Sequence, residues 1–314
     1  MPLHPDLEAF LELANSDRNG ARRPMSAMSP LEARAAYDAS TSALDIPGPP
    51  LSVEATSFRS RDGSPVAAHL YREPSGASPQ AVLLYFHGGG YVLGGLHSHD
   101  SLCRHLAASA GCAVLAIDYR LAPEHRFPIA FEDAEDANIW LLENGPRFGL
   151  DTQRIAFGGD SVGGTLAAAL TIAARDAGRP PPVLQLLIYP CTSAFQDSAS
   201  HLRNGHGFLL ERETLHWMFE HYLRSAADRS DFRFAPLESA DLSKLAAAHL
   251  VLAEFDPLLD EGLAYAERLR AAGVPVSVVT YPGMVHDFLR LGNVTEHADR
   301  ARDEIARVLA RAFA

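Results

Sequence analysis

The sequence has very little lysine and an excess of acidic side chains. Lys244 is the only lysine, and 39 Asp and Glu residues against 27 Lys and Arg residues give a formal net charge of -12. Nucleic acids and anionic membrane surfaces bind basic patches, so this balance argues against both as partners. No Gly-Lys-Ser or Gly-Lys-Thr sequence is present, which excludes a Walker-type phosphate loop.

Cysteine and long apolar runs are also scarce. Cys103, Cys112 and Cys191 are odd in number and lack motif spacing, so a disulfide framework is not expected. The opening residues lack the basic and apolar regions of a signal peptide. The apolar helix Leu166 to Ala174 is too short to cross a bilayer. We therefore expect a cytoplasmic protein without stable membrane insertion.

Short apolar runs alternate with helix-like segments through most of the chain. The runs, mostly continuous as in parallel strands covered on both faces, are 81–86, 113–117, 154–157, 183–189, 249–254 and 275–281. The helix-like segments are 98–110, 131–144, 165–176, 261–272 and 296–312. This alternation predicts an α/β fold with a doubly wound, mostly parallel sheet. Residues 53–59 and 66–72 flank Asp62-Gly63 and predict an antiparallel hairpin.

Two segments interrupt the alternation. Residues 1–45 have helical patterns, and residues 191–234 contain no strand-like run but include a helix-like segment at 211–223. We predict that both form a helical cap. The core would then consist of residues 46–190 and 235–314. The alternative is that these helices pack elsewhere on the molecule.

Gly159-Asp160-Ser161-Val162-Gly163 follows an apolar run and precedes a helix rich in small residues. A serine on such a turn presents its hydroxyl at the carboxyl edge of the sheet, and the glycines allow the turn to be tight. The alternative is a glycine loop that cradles a phosphate at a helix start. If the serine is a nucleophile, its partners should also follow strands, because chemistry in open α/β sheets lies at the carboxyl ends.

Three further groups meet that condition. His87-Gly88-Gly89-Gly90 follows the first of the runs and can present backbone N–H groups to a negative oxygen. Asp256 lies where another run ends at Pro257, and His286 follows the last run. The chain order Ser161, Asp256, His286 is that of α/β-hydrolases, so we predict these three as the catalytic residues.

With these motifs the chain resembles the hormone-sensitive-lipase-like esterases, the bacterial family IV carboxylesterases. The matching segments are 87–90, 118–124, 159–164, 256–262 and 286–288. The resemblance runs from about residue 50 to the C-terminus and implies the α/β-hydrolase fold. It also implies an oxyanion hole formed by the N–H groups of Gly89, Gly90 and Val162, with His87 bracing the glycine loop.

Two residues depart from the family pattern. Val162 stands where alanine is more usual and is expected to crowd the acyl site while keeping its N–H, and Tyr91 stands where tryptophan or phenylalanine is frequent. The candidate substrate contacts are Tyr91, Asp160, Phe208, Leu209 and Trp217.

Two polar motifs are interpreted as structural. In the segment 118–124, Arg120 and Glu124 are expected to form a buried ion-pair network rather than to act in catalysis. The segment 97–100, His-Ser-His-Asp, contains residue types that bind metals, but it precedes a helix and lacks a distant partner. We interpret it as a helix entry and expect no metal and no cofactor.

The sequence thus predicts a serine carboxylesterase that hydrolyses small-molecule esters of short to medium acyl length through an acyl-enzyme. An amidase or formamidase with the same three residues stays open. A non-catalytic receptor on the same fold would be expected to lack His286. The resemblance further implies that a homodimer could form through the edge strand at 275–281.

Overall fold

The computed structural model describes residues 2–16, 23–73 and 79–314, and positions 1, 17–22 and 74–78 lie outside the described residues. The described residues form an eight-stranded sheet with the order β1-β2-β4-β3-β5-β6-β7-β8. The strands are β1 Ser52–Arg59, β2 Pro65–Arg72, β3 Gln80–Phe86, β4 Ala113–Asp118, β5 Leu150–Asp160, β6 Leu184–Ile188, β7 Ala248–Phe255 and β8 Val276–Val285. β2 is antiparallel to both of its neighbours, β1 and β4, and the other neighbouring pairs are parallel. The predicted hairpin and the mostly parallel sheet are confirmed.

Helices cover both faces of this sheet. They are α1 Pro5–Ser16, α2 Pro30–Leu44, α3 Asp100–Ala110, α4 Ile129–Asn144, α5 Val162–Asp176, α6 Ala199–Asn204, α7 Arg212–Tyr222, α8 Leu259–Ala271 and α9 His297–Phe313. Alternate residues of β3 join opposite cores: Val82 and Leu84 pack with α4, α5 and α8, whereas Leu83 and Tyr85 pack with α3 and α9. Burial on both faces explains why the strands are continuous apolar runs.

β5 is longer than the sequence predicted. It continues through Gly158 and Gly159 to Asp160, and α5 begins at Val162, three residues before the predicted start. A β-carbon on Gly158 would lie 2.9 Å from a methyl group of Leu83, so this glycine serves close packing inside the strand rather than a turn. The chain therefore changes direction at Ser161, between the end of β5 and the start of α5.

β8 also extends beyond its predicted end. The sequence predicted that it stops at residue 281, before Pro282, but the strand continues to Val285. β8 is the last strand in the sheet order, and an edge strand tolerates a proline because one side needs no ladder hydrogen bond. The longer strand carries the chain directly to His286.

The two interrupting segments contain helices and no strand in their described residues. Residues 1–45 contain α1 and α2, and residues 191–234 contain α6, α7 and a short 3₁₀ helix at Ala226–Ser230. Ser29 and Glu32 form a reciprocal capping box at the start of α2, with Pro30 as the first helical residue. None of the described helices is long and apolar enough to cross a membrane.

Candidate active site

The carboxyl ends of four parallel strands bring the predicted residues together. β3 leads to His87, β5 to Ser161, β7 to Asp256 and β8 to His286. Asp256 and His286 are 30 residues apart in sequence, and His286 and Ser161 are 125 apart. The sheet edge is therefore what assembles this site, as the positions at strand ends predicted.

Ser161 occupies a strained backbone conformation. Its φ of 54° and ψ of -125° are unusual for a residue with a side chain, and its N–H donates to the carbonyl of Ile188 at 2.8 Å. A β-carbon on Gly159 would lie 2.5 Å from the carbonyl carbon of Gly163. These two glycines are thus required for the sharp turn that presents the Ser161 hydroxyl.

The side chains of Asp256, His286 and Ser161 form a hydrogen-bonded series. His286 Nδ1 donates to Asp256 Oδ2 at 2.7 Å, and His286 Nε2 lies 3.1 Å from Ser161 Oγ. The second oxygen, Asp256 Oδ1, accepts the N–H of Leu258 at 2.8 Å. Since the carboxylate fixes the proton on Nδ1, Nε2 is left to accept the proton of the serine hydroxyl.

The Asp256 carboxylate also sets the charge preference of His286. Burial alone would lower the pKa of His286, but the negative charge and hydrogen bond of Asp256 outweigh it and raise that pKa above 6.5. Asn204 of α6 donates to the backbone carbonyls of Asp256 at 3.2 Å and Glu254 at 3.3 Å. The Asp256 carboxylate therefore stabilises the protonated, positively charged form of His286.

The glycine loop, residues 87–90, lies beside Ser161. Gly89 and Gly90 have positive φ angles of 117° and 62°, which favour glycine. The carbonyl of Gly89 accepts the N–H groups of Val92 at 3.1 Å and Leu93 at 2.8 Å, so a tight turn orients this backbone. Both glycines and Ser161 line the same cavity.

His87 supports the glycine loop from below. Burial lowers its pKa to about 3, so the ring is neutral near neutral pH. Its Nδ1 donates to the carbonyl of Gly88 at 2.7 Å, and the ring stacks on Tyr119 with the centroids 4.2 Å apart. These contacts fit a bracing residue.

The cavity above Ser161 has a volume of about 530 Å³, within the range of small-molecule sites. Its walls come from three parts of the chain and are mostly apolar. The N-terminal helices and the segment between them contribute Leu13, Met25, Met28, Tyr37, Ser40 and Leu44; residues 209–218 contribute Leu209, Leu210, Thr214, Leu215 and Met218; the sheet edge contributes Leu93, Asp160, His286, Asp287, Arg290 and Leu291.

Three of the predicted substrate contacts do not line this cavity. Tyr91 stacks on Tyr222 with the centroids 3.8 Å apart, and Phe208 stacks on Phe255 at 5.2 Å. Trp217 packs against His221, because the cavity-facing side of α7 carries Thr214, Leu215 and Met218. Leu209 and Asp160 do line the cavity, but the Asp160 carboxylate is buried.

Val162 also differs from the expectation. Its side chain is fully buried in the core with Leu166 and does not line the cavity. The predicted crowding of the acyl site by this valine therefore has no support from the residues that line this cavity. The branched side chain belongs to the buried cluster that contains Leu166 of α5 and Phe157 of β5, while the backbone at this position begins the helix.

The two polar motifs behave differently from each other. Arg120 pairs with Asp133 and Asp62 at 2.7 and 2.6 Å. Glu124 is 55% exposed and pairs with Arg34 of α2 at 2.7 Å, so the predicted buried network does not include it. His99 directly precedes α3, as a helix entry should, and no group of residues suited to a metal occurs in the described part of the chain.

The sequence missed one buried contact at this site. His99 Nε2 donates to Asp160 Oδ2 at 3.2 Å, and both side chains are 1% exposed. The two positions are 61 residues apart, so no local pattern connects them.

Comparison with known sequences identifies the family of this chain. Residues 83–290 match the Abhydrolase_3 family, an alpha/beta hydrolase fold. The chain belongs to this alpha/beta-hydrolase family. It is 44% identical over 306 residues to an ethyl acetate hydrolase of Pseudomonas putida, which covers 95% of this chain and 96% of that one. It is 39% identical over 252 residues to the carboxylesterase NlhH of Mycobacterium tuberculosis, 79% of each chain.

Solved structures agree with these relatives. The ester-hydrolase EH1AB1 from the metagenome of Lake Arreo, solved with a derivative of bipyridine phosphonate, superposes with a TM-score of 0.95 at 37% identity and covers 99% of both chains. These similarities confirm the predicted family, the predicted α/β-hydrolase fold and the predicted class of activity, carboxylic ester hydrolysis.

Proposed function

We propose that this hydrolase is a serine carboxylesterase in which Ser161, His286 and Asp256 carry the reaction. The observation that supports it is the hydrogen-bonded series from Asp256 through His286 to Ser161 at the floor of an apolar cavity. His286 takes the proton of Ser161 as the hydroxyl oxygen attacks the ester carbonyl carbon. Asp256 holds the imidazole in the required tautomer and stabilises its cation.

The negative oxygen of the tetrahedral intermediate is bound by the N–H groups of Gly89, Gly90 and Val162. When the intermediate collapses, the bond to the alcohol oxygen breaks and His286 gives that oxygen its proton. Water then attacks the acyl-enzyme, with His286 again as the base. Each preorganised N–H donor of this kind lowers the barrier by about 2.7–4 kcal/mol. His87 acts only by bracing the loop.

We further propose that residues 1–45 and 191–234 form a cap over a core made of residues 46–190 and 235–314. Both segments contribute walls to the 530 Å³ cavity above Ser161. A cavity closed by helices suits short to medium acyl esters. Rates over an acyl-length series of aryl esters are expected to peak at short to medium chains. Best rates on long, aggregated triglyceride would contradict the cap proposal.

The catalytic roles are tested by Ser161→Ala. Turnover is expected to fall about a millionfold while the far-UV circular dichroism and unfolding midpoint stay close to the parent values. An organophosphonate is expected to label the parent at Ser161 and not to label the variant. Near-normal esterase activity in the variant would refute the assignment, and an unlabelled parent protein would favour a non-catalytic receptor.

Three finer points belong to the same proposal. Matched ester and anilide substrates separate a carboxylesterase from an amidase or formamidase, since the latter would hydrolyse the anilide at a comparable rate. A homodimer through the edge strand β8 would appear in light scattering at twice the 33.9 kDa chain mass. We also propose a cytoplasmic location, on the basis of the sequence features described above.

A further inference from the structure

The buried carboxylate of Asp160 accepts three hydrogen bonds from other parts of the chain. Its Oδ1 accepts the hydroxyl of Tyr85 at 2.5 Å and the backbone N–H of Gly88 at 3.0 Å, and its Oδ2 accepts from His99. A β-carbon on Gly88 would lie 2.3 Å from Asp160 Oδ2, so the carboxylate is pressed against the loop backbone. One carboxylate therefore ties the residue before Ser161 to the glycine loop.

His99 supplies the compensation that this buried carboxylate requires. Its Nε2–H donates to Asp160, and its Nδ1 lies 2.9 Å from the hydroxyl of Ser98. Burial alone would raise the pKa of Asp160, but His99 and Tyr85, with the charge of Arg290, hold that pKa well below its usual range. An uncompensated carboxylate at this depth would be strongly destabilising, so the position of Asp160 depends on His99.

Hydrogen bonds of Arg290 connect the residue before His99 with the loop that carries His286. Arg290, four residues after His286, donates to the carbonyl of Ser98 at 3.1 Å and to Asp287 at 2.8 Å. His99 thus stands between the glycine loop and the loop that carries His286. Neither His99 nor Tyr85 lines the substrate cavity.

We propose that His99 is a positioning residue which, through Asp160, holds the Gly88–Gly90 backbone at the distance from Ser161 that stabilises the oxyanion. The inference rests on the proposed catalytic roles of Ser161 and the glycine loop. A misplacement of about 1 Å costs such sites about a hundredfold in rate. His99→Leu, which removes the donor and keeps a side chain of similar bulk, is therefore expected to act on the transition state.

The experiment compares steady-state kinetics with the affinity for an aryl trifluoromethyl ketone. Ser161 Oγ adds to the carbonyl carbon of this ketone, the serine proton passes to His286, and the carbonyl electron pair becomes an oxyanion in the proposed hole. In His99→Leu we expect kcat to fall about tenfold or more with KM changed less than about threefold. The inhibition constant of the ketone should rise by the factor that kcat/KM falls. His99→Gln, which can still offer an N–H to Asp160, should recover most of both losses.

Asp133→Asn is the matched control, because Asp133 is an equally buried acid that pairs with Arg120 and lies outside the active-site cavity. It should lower the urea midpoint and leave kcat/KM and the ketone constant unchanged. If His99→Leu behaves like Asp133→Asn, the proposal is overturned. If His99→Leu does not fold, Tyr85→Phe takes its place, since it removes one hydrogen bond from Asp160 and should show the same correlation on a smaller scale. A ketone that fails on the parent protein, or binds Ser161→Ala equally well, would overturn the proposed function itself.

Discussion

Replacing Gly163 by alanine is expected to damage catalysis more than it damages folding. In a helix interior this change would usually stabilise by about 0.8–1 kcal/mol. Here the new β-carbon would lie 2.0 Å from the carbonyl oxygen of Phe86 and 2.8 Å from that of His87. Ordinary contact begins at 3.4 Å, so the start of α5 and the end of β3 must separate by roughly 1.4 Å. Overpacking of this kind costs about 1–3 kcal/mol, which reverses the helix gain.

The catalytic effect follows from which groups must move. Phe86 leads directly into the glycine loop, and Gly163 comes directly after Val162 and two residues after Ser161, so the displacement separates the proposed nucleophile from the proposed donors of the glycine loop. A shift near 1 Å predicts a loss of about a hundredfold in kcat/KM. Urea unfolding and aryl ester hydrolysis measure the two effects on the same protein samples.

Gly164 provides the control for this prediction. A β-carbon there would meet the carbonyl of Gly159 and the ring of Pro190 at 3.1 Å, so a few tenths of an ångström of adjustment is enough. Gly164→Ala should keep kcat/KM within about tenfold of the parent value, because no backbone is displaced by a full ångström. Equal kinetics for Gly163→Ala and the parent protein would refute the steric reasoning.

Two further predictions concern protonation. The value of kcat/KM should decrease as the pH falls, with a midpoint above pH 6.5, because protonated His286 cannot act as a base. Asp256→Asn should lower kcat about 10⁴-fold and move this midpoint to lower pH, because the carboxylate that raises the pKa of His286 is removed. Burial raises the pKa of Glu261 to about 8, so its contribution to stability is present below pH 4.5 and is lost as the pH rises to about 8. Glu261→Gln should remove this dependence, and urea unfolding at pH 5 and pH 8.5 checks it; an unchanged difference would contradict the burial argument.

The catalytic candidates could be predicted because each lies where an apolar run ends. Ser161, Asp256 and His286 are far apart in sequence, but parallel strands place their ends at one edge, so position along each strand was enough to bring them together. The α/β fold followed from the same runs. Their ends were less predictable, since the runs 154–157 and 275–281 end earlier than the strands, which continue to Asp160 and Val285.

The cavity walls could not be predicted in the same way. Trp217 was a candidate because cap helices were expected to face the site, but the face of α7 that meets the cavity is set by packing against the rest of the protein. Val162 was expected to reach the acyl site, and its side chain is instead in the core. The bond between His99 and Asp160 joins two turns that no periodic pattern relates. Side-chain direction and distant polar pairs depend on tertiary packing, which a single sequence does not display.

Two arginines late in the sequence hold the N-terminal wall of the cavity in place. Arg302 of α9 donates to Asp45 at 2.5 Å, and Arg290 donates to Thr41 at 3.1 Å, across 257 and 249 residues. During synthesis Thr41 and Asp45 leave the ribosome long before the two arginines that hold them. The contacts of this wall are therefore expected to be complete only after Arg302 has emerged. A translation product that stops before residue 286 would contain Ser161 without His286 and without either arginine, so we expect it to have no esterase activity.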